Sequence, residues 1–159
     1  MHRRGDDRKV LVGGVALMLL GSSMHPRNVE YLVKIGPKAI DEFQFFTYYN
    51  ANANAFFNEL WEMEKRKKIA SPQTLLELRA FNYVNLPVDC DWHIKHNLEF
   101  DISFLAGPYN RFNLSGLKIL PKYMDKQKLS GFNRFLERKQ DNANRRERLF
   151  DTGSMVVSK

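Results

Sequence analysis

The residues best suited to chemistry lie in one short stretch, VDCDWHIKH (residues 88–96). Cys90, His93 and His96 follow one another at intervals of three, and an aspartate stands on either side of the cysteine. A thiolate, two imidazoles and a carboxylate are ligands that zinc accepts in tetrahedral sites. The spacing matches no standard zinc finger, and no second Cys/His pair follows. Cys90, His93 and His96 are therefore weak metal candidates, and we expect neither metal nor cofactor; the alternative is a polar loop anchored by its tryptophan.

The same stretch also offers a pairing that nucleophilic catalysis could use. The thiol of Cys90 could be activated by His93 or His96, because attack by a thiol requires a nearby base. No third group that would orient the base, and no loop that would bind an oxyanion, is recognisable beside them. Phosphate-binding motifs of the forms G-x-x-x-x-G-K-[ST] and G-x-G-x-x-G are absent from the sequence. We expect no catalytic residues and no enzyme.

An uncharged apolar run near the N-terminus, Val10–Met24, bears on where the protein is located. Basic residues before it and small residues at its end give it the outline of a signal peptide. Because the chain contains Met1 and the whole run, we expect a retained segment rather than a cleaved one. Fifteen residues of helix are about 22 Å long, shorter than a hydrocarbon core of about 30 Å. Such a helix would need a partner in order to span a membrane.

Small residues in this run suggest how such a partner would be contacted. Gly13, Ala16, Leu17 and Gly21 fall on one side of a helix, and a stripe of this kind allows close packing between membrane helices. Three glycines and two serines would make a poor helix in water. We predict a single-pass membrane segment within residues 1–26, with burial in a protein core as the alternative.

Two helices are predicted to follow as a hairpin over residues 27–86. The first, 38–69, is rich in aromatic residues, and its apolar positions recur at helical spacing. NANANA (50–55) could break it, but we favour a continuous helix because alanine offsets the low helix propensity of asparagine. The second begins at Ser71–Pro72, where serine suits the cap and proline the first turn. The short connection favours an antiparallel pair.

The segment 87–129 is predicted to be an extended or loop arm. Within it, NLEFDISF (97–104) alternates between polar and apolar residues without a fault, which is typical of a strand. No partner strand is evident nearby. An arm lying on a neighbouring protein would show the same pattern.

The positive charge is concentrated toward the C-terminus. Residues 111–159 contain 12 Lys/Arg against 5 Asp/Glu, and the whole chain has a net charge of +7. A basic C-terminal helix and tail are predicted over 130–159, and the polar part after Lys139 is expected to be disordered when alone in water. The residues expected to bind a partner or an acidic surface are Arg145, Arg146, Arg148, Phe132 and Phe135. That surface could belong to an acidic protein face, anionic lipid or RNA.

Together these features predict a mainly α protein. It has a short N-terminal transmembrane or buried apolar helix, a central aromatic-rich helical hairpin, an extended arm or lone strand, and a basic C-terminal helix and tail. With one cysteine, disulfides within the chain are excluded. The combination favours a non-catalytic accessory subunit of a large respiratory-chain complex of electron transport in the mitochondrial inner membrane, whose partners are the other protein subunits. A mitochondrial ribosomal protein that contacts rRNA through its basic tail is the alternative, and a small metal protein or enzyme centred on Cys90, His93 and His96 ranks last.

Overall fold

The computed structural model describes residues 8–26, 28–34, 36–39 and 51–157. The described residues are mainly helical, which confirms the predicted class. They form three strands, five α-helices and one short 3₁₀ helix over Leu120–Lys122. The strands are β1 (Val10–Val12), β2 (Glu30–Val33) and β3 (Gly36–Ala39), and the α-helices are α1 (Gly13–Leu19), α2 (Ala51–Glu64), α3 (Pro72–Val84), α4 (Trp92–Ala106) and α5 (Lys126–Val157).

The apolar N-terminal run contributes a strand and the first part of a short helix to the protein's own core, while Met18 and Leu19 at the end of that helix are exposed. β1 pairs antiparallel with β2, Val10 facing Leu32, and β2 pairs antiparallel with β3. On its other side Leu11 donates its amide to the Lys68 carbonyl, at 2.8 Å, and its carbonyl accepts from the amide of Ala70, at 3.0 Å. Both edges of β1 are thus paired within the chain.

The glycines of the predicted membrane stripe bend the backbone instead of packing helices. Gly13 and Gly21 have φ angles of +72° and +108°, in the left-handed region that favours glycine, and α1 ends before Gly21. Ala16 and Leu17 are buried in the core of the protein. The predicted 15-residue helix is therefore wrong. In the part of the chain described, we find no helix that combines the length and apolar character needed to cross a bilayer.

The aromatic helix and the next one pack side by side in opposite directions. Near the start of α2, Phe56 stacks on Phe81 at the end of α3, with ring centroids 5.4 Å apart. At the other end, Glu64 closes α2 beside Ser71 and Thr74, which open α3. Of the helix predicted over 38–69, Lys38 and Ala39 lie in β3, so the predicted start is wrong, and residues 40–50 lie outside the described residues. From Ala51 the helix runs through the end of NANANA and stops at Glu64.

Glu64 is buried where these two helices meet. Its carboxylate accepts hydrogen bonds from the hydroxyls of Ser71 and Thr74 and lies 3.1 Å from the Lys67 ammonium. Burial raises the pKa of Glu64, but the hydrogen bonds from Ser71, Thr74 and Lys67 outweigh it, so the pKa lies below its ordinary value of 4.5. The ionised side chain therefore stabilises the start of α3.

This arrangement predicts a loss of stability in acid. The contribution of Glu64 is fully present above its unfolded pKa and is lost as the pH falls through its lower folded pKa. Glu64→Gln should lower the free energy of unfolding by roughly 2 kcal/mol at neutral pH, since a buried hydrogen-bonded charge is removed. Urea unfolding at several pH values should show wild type and variant converging as the pH falls below the ordinary glutamate pKa of 4.5. A pH-independent difference would contradict the assignment.

The predicted strand over 97–104 is helical and lies within α4. Asp91 caps this helix, its carboxylate accepting the amide of His93 at 3.0 Å. Leu98, Ile102 and Leu105 share one face and are buried. Leu98 and Ile102 are four residues apart, a spacing that fits both a helical and an alternating pattern. Part of the predicted extended arm is therefore a helix.

The loop after α4 is held by a buried glutamate. Glu77 of α3 is fully buried, and its carboxylate accepts the backbone amides of Lys118, Ile119 and Leu120 at 2.6–3.2 Å. These residues lead into the 3₁₀ helix and then α5. Glu77 thus fixes where α5 leaves the core.

α5 is longer than predicted, because it continues through the residues expected to form a disordered tail. Leu129, Phe132 and Phe135 bury its first turns against the core. Beyond Lys139 the helix is maintained to Val157. Good helix formers and local pairs support it, such as the Gln140 amide that donates to Asn144 at 3.1 Å, one turn away.

Candidate nucleic-acid interface

The second half of α5 extends beyond the core as an exposed basic helix. Between residues 137 and 149, every side chain is exposed except that of Ala143. An α-helix rises 1.5 Å per residue, so this part spans about 20 Å. It offers a long charged surface that the core does not cover.

Four arginines of this helix lie on one face. At about 100° per residue, the spacings of four, seven and three residues place Arg134, Arg138, Arg145 and Arg148 within a sector of about 80°. We call these four residues the arginine stripe. Asp141 lies within the stripe, and Glu137 lies at its edge. All four arginines are exposed, and Arg148 donates to the Asn144 carbonyl at 3.4 Å.

The predicted binding residues of this region separate into three groups. Arg145 and Arg148 belong to the arginine stripe, whereas Arg146 projects from another side of α5. Phe132 and Phe135 are 1% and 5% exposed, so they belong to the core and not to the exposed surface, and their binding of a partner stays a prediction. They are core residues because their helical positions face α3 and α4.

A second exposed surface lies on α4, next to the arginine stripe. Trp92, Lys95, His96 and Glu99 follow the spacing i, i+3, i+4, i+7 and share one face of the helix. Trp92 is 63% exposed. Its ring centroid lies 3.9 Å from that of His93 and 5.5 Å from that of His96. We call Trp92, Lys95, His96 and Glu99 the Trp92 surface.

Tyr83 connects the two surfaces. Its hydroxyl donates to Glu99 at 3.0 Å, and its ring lies 5.9 Å from that of Phe135 and 5.9 Å from the ammonium of Lys95. Burial and the neighbouring Glu99 carboxylate raise the pKa of Tyr83 to about 12, against an opposing effect of Arg138. Phe135 and Arg138 lie one turn apart on α5, so the contact of Phe135 with Tyr83 brings this part of the arginine stripe toward the Trp92 surface.

Sequence reasoning missed the Trp92 surface because it treated residues 88–104 as loop and strand. The signal was present in the spacing of Trp92, His96 and Phe100, which are four residues apart and exposed on α4. Asp91 at the cap position was a second signal. When residues 92–104 are treated as one helix, their spacing gives one buried apolar face and one exposed aromatic face.

The cysteine and histidines do not come together as a metal site. Cys90 lies in the turn before α4, while His93 and His96 lie within the helix. The Nδ1 of His96 is 3.9 Å from the Glu99 carboxylate. Among the residues that the structure describes, no three His, Cys, Asp or Glu side chains are grouped so that they could hold a metal ion.

An open groove of about 820 Å³ lies against the aromatic core, with Phe56 and Phe81 in its wall. Two polar side chains of its lining, Lys122 and Tyr123, are paired with Glu59 beside the groove. Lys122 and the Tyr123 hydroxyl donate to Glu59, at 2.8 Å and 2.5 Å. These two hydrogen bonds lower the pKa of Glu59, and the bond to Glu59 raises that of Tyr123. The rim therefore favours an ionised, paired carboxylate rather than a group ready to take up a proton.

A buried ion pair joins α3 to α4 behind the Trp92 surface. The Arg79 Nε lies 3.0 Å from an Asp101 oxygen, with the two side chains 13% and 8% exposed. Burial raises the pKa of Asp101 although Arg79 opposes this effect, and Glu30 raises the pKa further. This pair fixes the position of α4 on the core.

Comparison with known proteins gives no relative. No protein-family model matches the chain, and neither a curated protein nor a solved structure shows significant similarity to it. The function is therefore inferred from the geometry of α4 and α5.

Proposed function

We propose that this protein is a non-catalytic RNA-binding protein that joins a ribonucleoprotein assembly through α5. The observation that carries this proposal is the arginine stripe, four exposed arginines on one face of a helix that extends beyond the core. Guanidinium groups bind phosphate through paired, charge-assisted hydrogen bonds. A mitochondrial ribosome is the assembly proposed, a location that the basic composition and the single cysteine support.

The distribution of charge supports a polyanionic partner. Among the described residues, no ion pair joins Arg134, Arg138 or Arg145 to a carboxylate. Their charges are thus offered to solvent, and a phosphate chain could replace the surrounding counterions. Release of those counterions makes such binding strongly dependent on salt.

Neutralising the stripe should weaken RNA binding and its salt dependence together. In a variant with Arg134, Arg138, Arg145 and Arg148 all changed to Gln, we expect the slope of log affinity against log salt to become shallower by about 3, at about 0.7 per lost phosphate contact on a single strand. Filter binding of labelled RNA from about 50 to 200 mM salt measures the slope.

A matched control keeps the net charge the same as in that variant. It carries glutamine at four other exposed cations, Arg66, Lys68, Lys118 and Lys126. The proposal requires the control to keep most of the wild-type slope. If both variants lose the same amount, binding depends on net charge alone, and if wild type does not bind RNA the proposal fails.

The accessory-subunit hypothesis is the second candidate. Exposed apolar side chains favour it, since such groups are enriched where proteins meet. They lie on and around α4, at Val88, Trp92, Ile94, Phe100 and Tyr109. This candidate predicts that the native protein migrates with a respiratory-chain complex in non-denaturing gels of detergent-solubilised mitochondria. Migration with rRNA in a salt-sensitive particle would support the ribosomal proposal instead.

A further inference from the structure

We infer that the Trp92 surface and Arg138 together form a site for single-stranded RNA, in which Trp92 stacks on an unpaired base and Lys95 and Arg138 contact phosphates farther along the strand. This inference rests on the proposed function, because it names the class of RNA that the protein binds. It assigns a role to α4 that the arginine stripe does not require.

The two tryptophans have opposite environments. Trp61 is 1% exposed, and its indole N–H donates to the Arg8 carbonyl at 3.0 Å. Trp92 is 63% exposed, and the rings of His93 and His96 lie beside it. A large ring held by its neighbours and open to solvent is suited to stacking on a base, because every base has a π-face.

The charge near Trp92 also suits a phosphate chain. Lys95 follows on the same face of α4, with its ammonium 5.9 Å from the Tyr83 ring. Arg138 lies one turn beyond Phe135 on α5, and the ring of Phe135 lies 5.9 Å from that of the same tyrosine. The acidic group between them, Glu99, is engaged by the Tyr83 hydroxyl and by His96. Its charge is therefore partly directed into the protein rather than toward a ligand.

Two aspartates lie at the start of α4, in addition to Asp141 and Glu137 in and beside the arginine stripe. Asp91 accepts the His93 amide at the start of α4, and Asp89 is exposed in the turn before it. Both would repel phosphate at that end of the helix. A bound strand should therefore run from Trp92 toward Lys95 and the arginine stripe, away from the two aspartates.

Stacking on Trp92 requires a single strand. In a duplex the faces of the bases are covered by their neighbours, so Trp92 could not stack on them. A duplex would still contact the arginine stripe through its phosphates. Stacking on Trp92 therefore distinguishes a single strand from a duplex, whereas the stripe alone does not.

Intrinsic fluorescence tests the site directly. Because Trp61 is buried, quenching by an added oligonucleotide should report mainly on Trp92. We expect a 12-nucleotide oligouridylate to quench the emission and to bind at least tenfold more tightly than an RNA duplex of the same length. In Trp92→Phe the quenching should disappear while affinity stays within a fewfold, because phenylalanine can still stack.

Trp92→Ala should weaken binding of the oligouridylate by about tenfold to a hundredfold, the usual range for one stacked base. Binding of the duplex should be unchanged. The matched control is Ile94→Ala, an exposed apolar residue on another face of α4, which should leave both affinities intact. Circular dichroism would establish that each variant is folded.

The possible failures can be told apart. RNA binding without quenching, or equal affinity for duplex and single strand, overturns the inference and leaves the proposed function in place. Absence of any RNA binding overturns both. Quenching by vesicles of anionic phosphatidylserine but not by oligouridylate would assign the Trp92 surface to a membrane and overturn the inference.

Discussion

Replacing Glu77 with leucine should lower the free energy of unfolding by at least about 3 kcal/mol, because each buried backbone amide left without an acceptor costs about 1–3 kcal/mol. Three such amides, those of Lys118, Ile119 and Leu120, donate to the Glu77 carboxylate. Leucine fills a similar volume but accepts no hydrogen bond. The effect should appear as a lower midpoint in urea unfolding followed by circular dichroism.

Two further variants locate the cause of the Glu77 effect. Glu77→Gln keeps the shape but presents an N–H₂ group toward backbone donors, so it should also be destabilising. Glu137→Leu replaces an exposed glutamate on α5 and should change stability by less than about 0.5 kcal/mol. If Glu77→Leu were no more harmful than Glu137→Leu, the carboxylate would not be holding the loop.

The loss of Glu77 should also loosen the connection between α4 and α5. The loop that it holds leads into the 3₁₀ helix and then into α5, which carries the arginine stripe. We expect Glu77→Leu to make this connection more accessible to proteases before the rest of the protein unfolds. Limited proteolysis should then cut between α4 and α5 in the variant and not in the wild type.

Breaking the Arg79–Asp101 pair should have an effect of similar size. Asp101→Asn leaves the Arg79 guanidinium buried without a counter-charge, and such a change costs about 3–5 kcal/mol. The two side chains are 13% and 8% exposed, so water can compensate little. Urea unfolding at neutral pH measures the difference.

A double variant separates the ion pair from the packing around it. Arg79→Leu with Asp101→Leu removes both charges and should recover part of the loss, since an apolar pair of similar volume often replaces a buried ion pair. Glu62→Gln breaks the exposed pair with Lys65 and should cost less than about 1 kcal/mol. A double variant that is less stable than Asp101→Asn would contradict the account.

The start of α3 could be predicted from the sequence because its signals are local. Ser71 accepts the Thr74 amide, and Pro72 occupies the first turn, as expected. The mainly helical class and the basic C-terminal helix also follow from propensity and charge. The stripe is implicit in the spacing of its arginines, which becomes informative once α5 is known to be one continuous helix.

The rest required contacts between residues far apart in the chain. Val10 is a strand residue because Leu32 pairs with it, and residues 97–104 are helical because their buried face packs on α3. The local pattern could not decide either case. The apolar residues of 97–104 fit the period of a strand and that of a helix, and the apolar run that contains Val10 suits a membrane or a protein core. No local pattern marks Glu77 as a buried acceptor, because its partners lie more than 40 residues away.

The sequence by itself determined that the chain is helical and that its positive charge lies near the C-terminus, because both are properties of residue type and spacing. Only the tertiary structure decided which of these residues face solvent. It buried Phe132 and Phe135, exposed Trp92, and brought α4 beside the arginine stripe through Tyr83. Burial depends on what the rest of the chain places against each residue, and no local pattern contains that information.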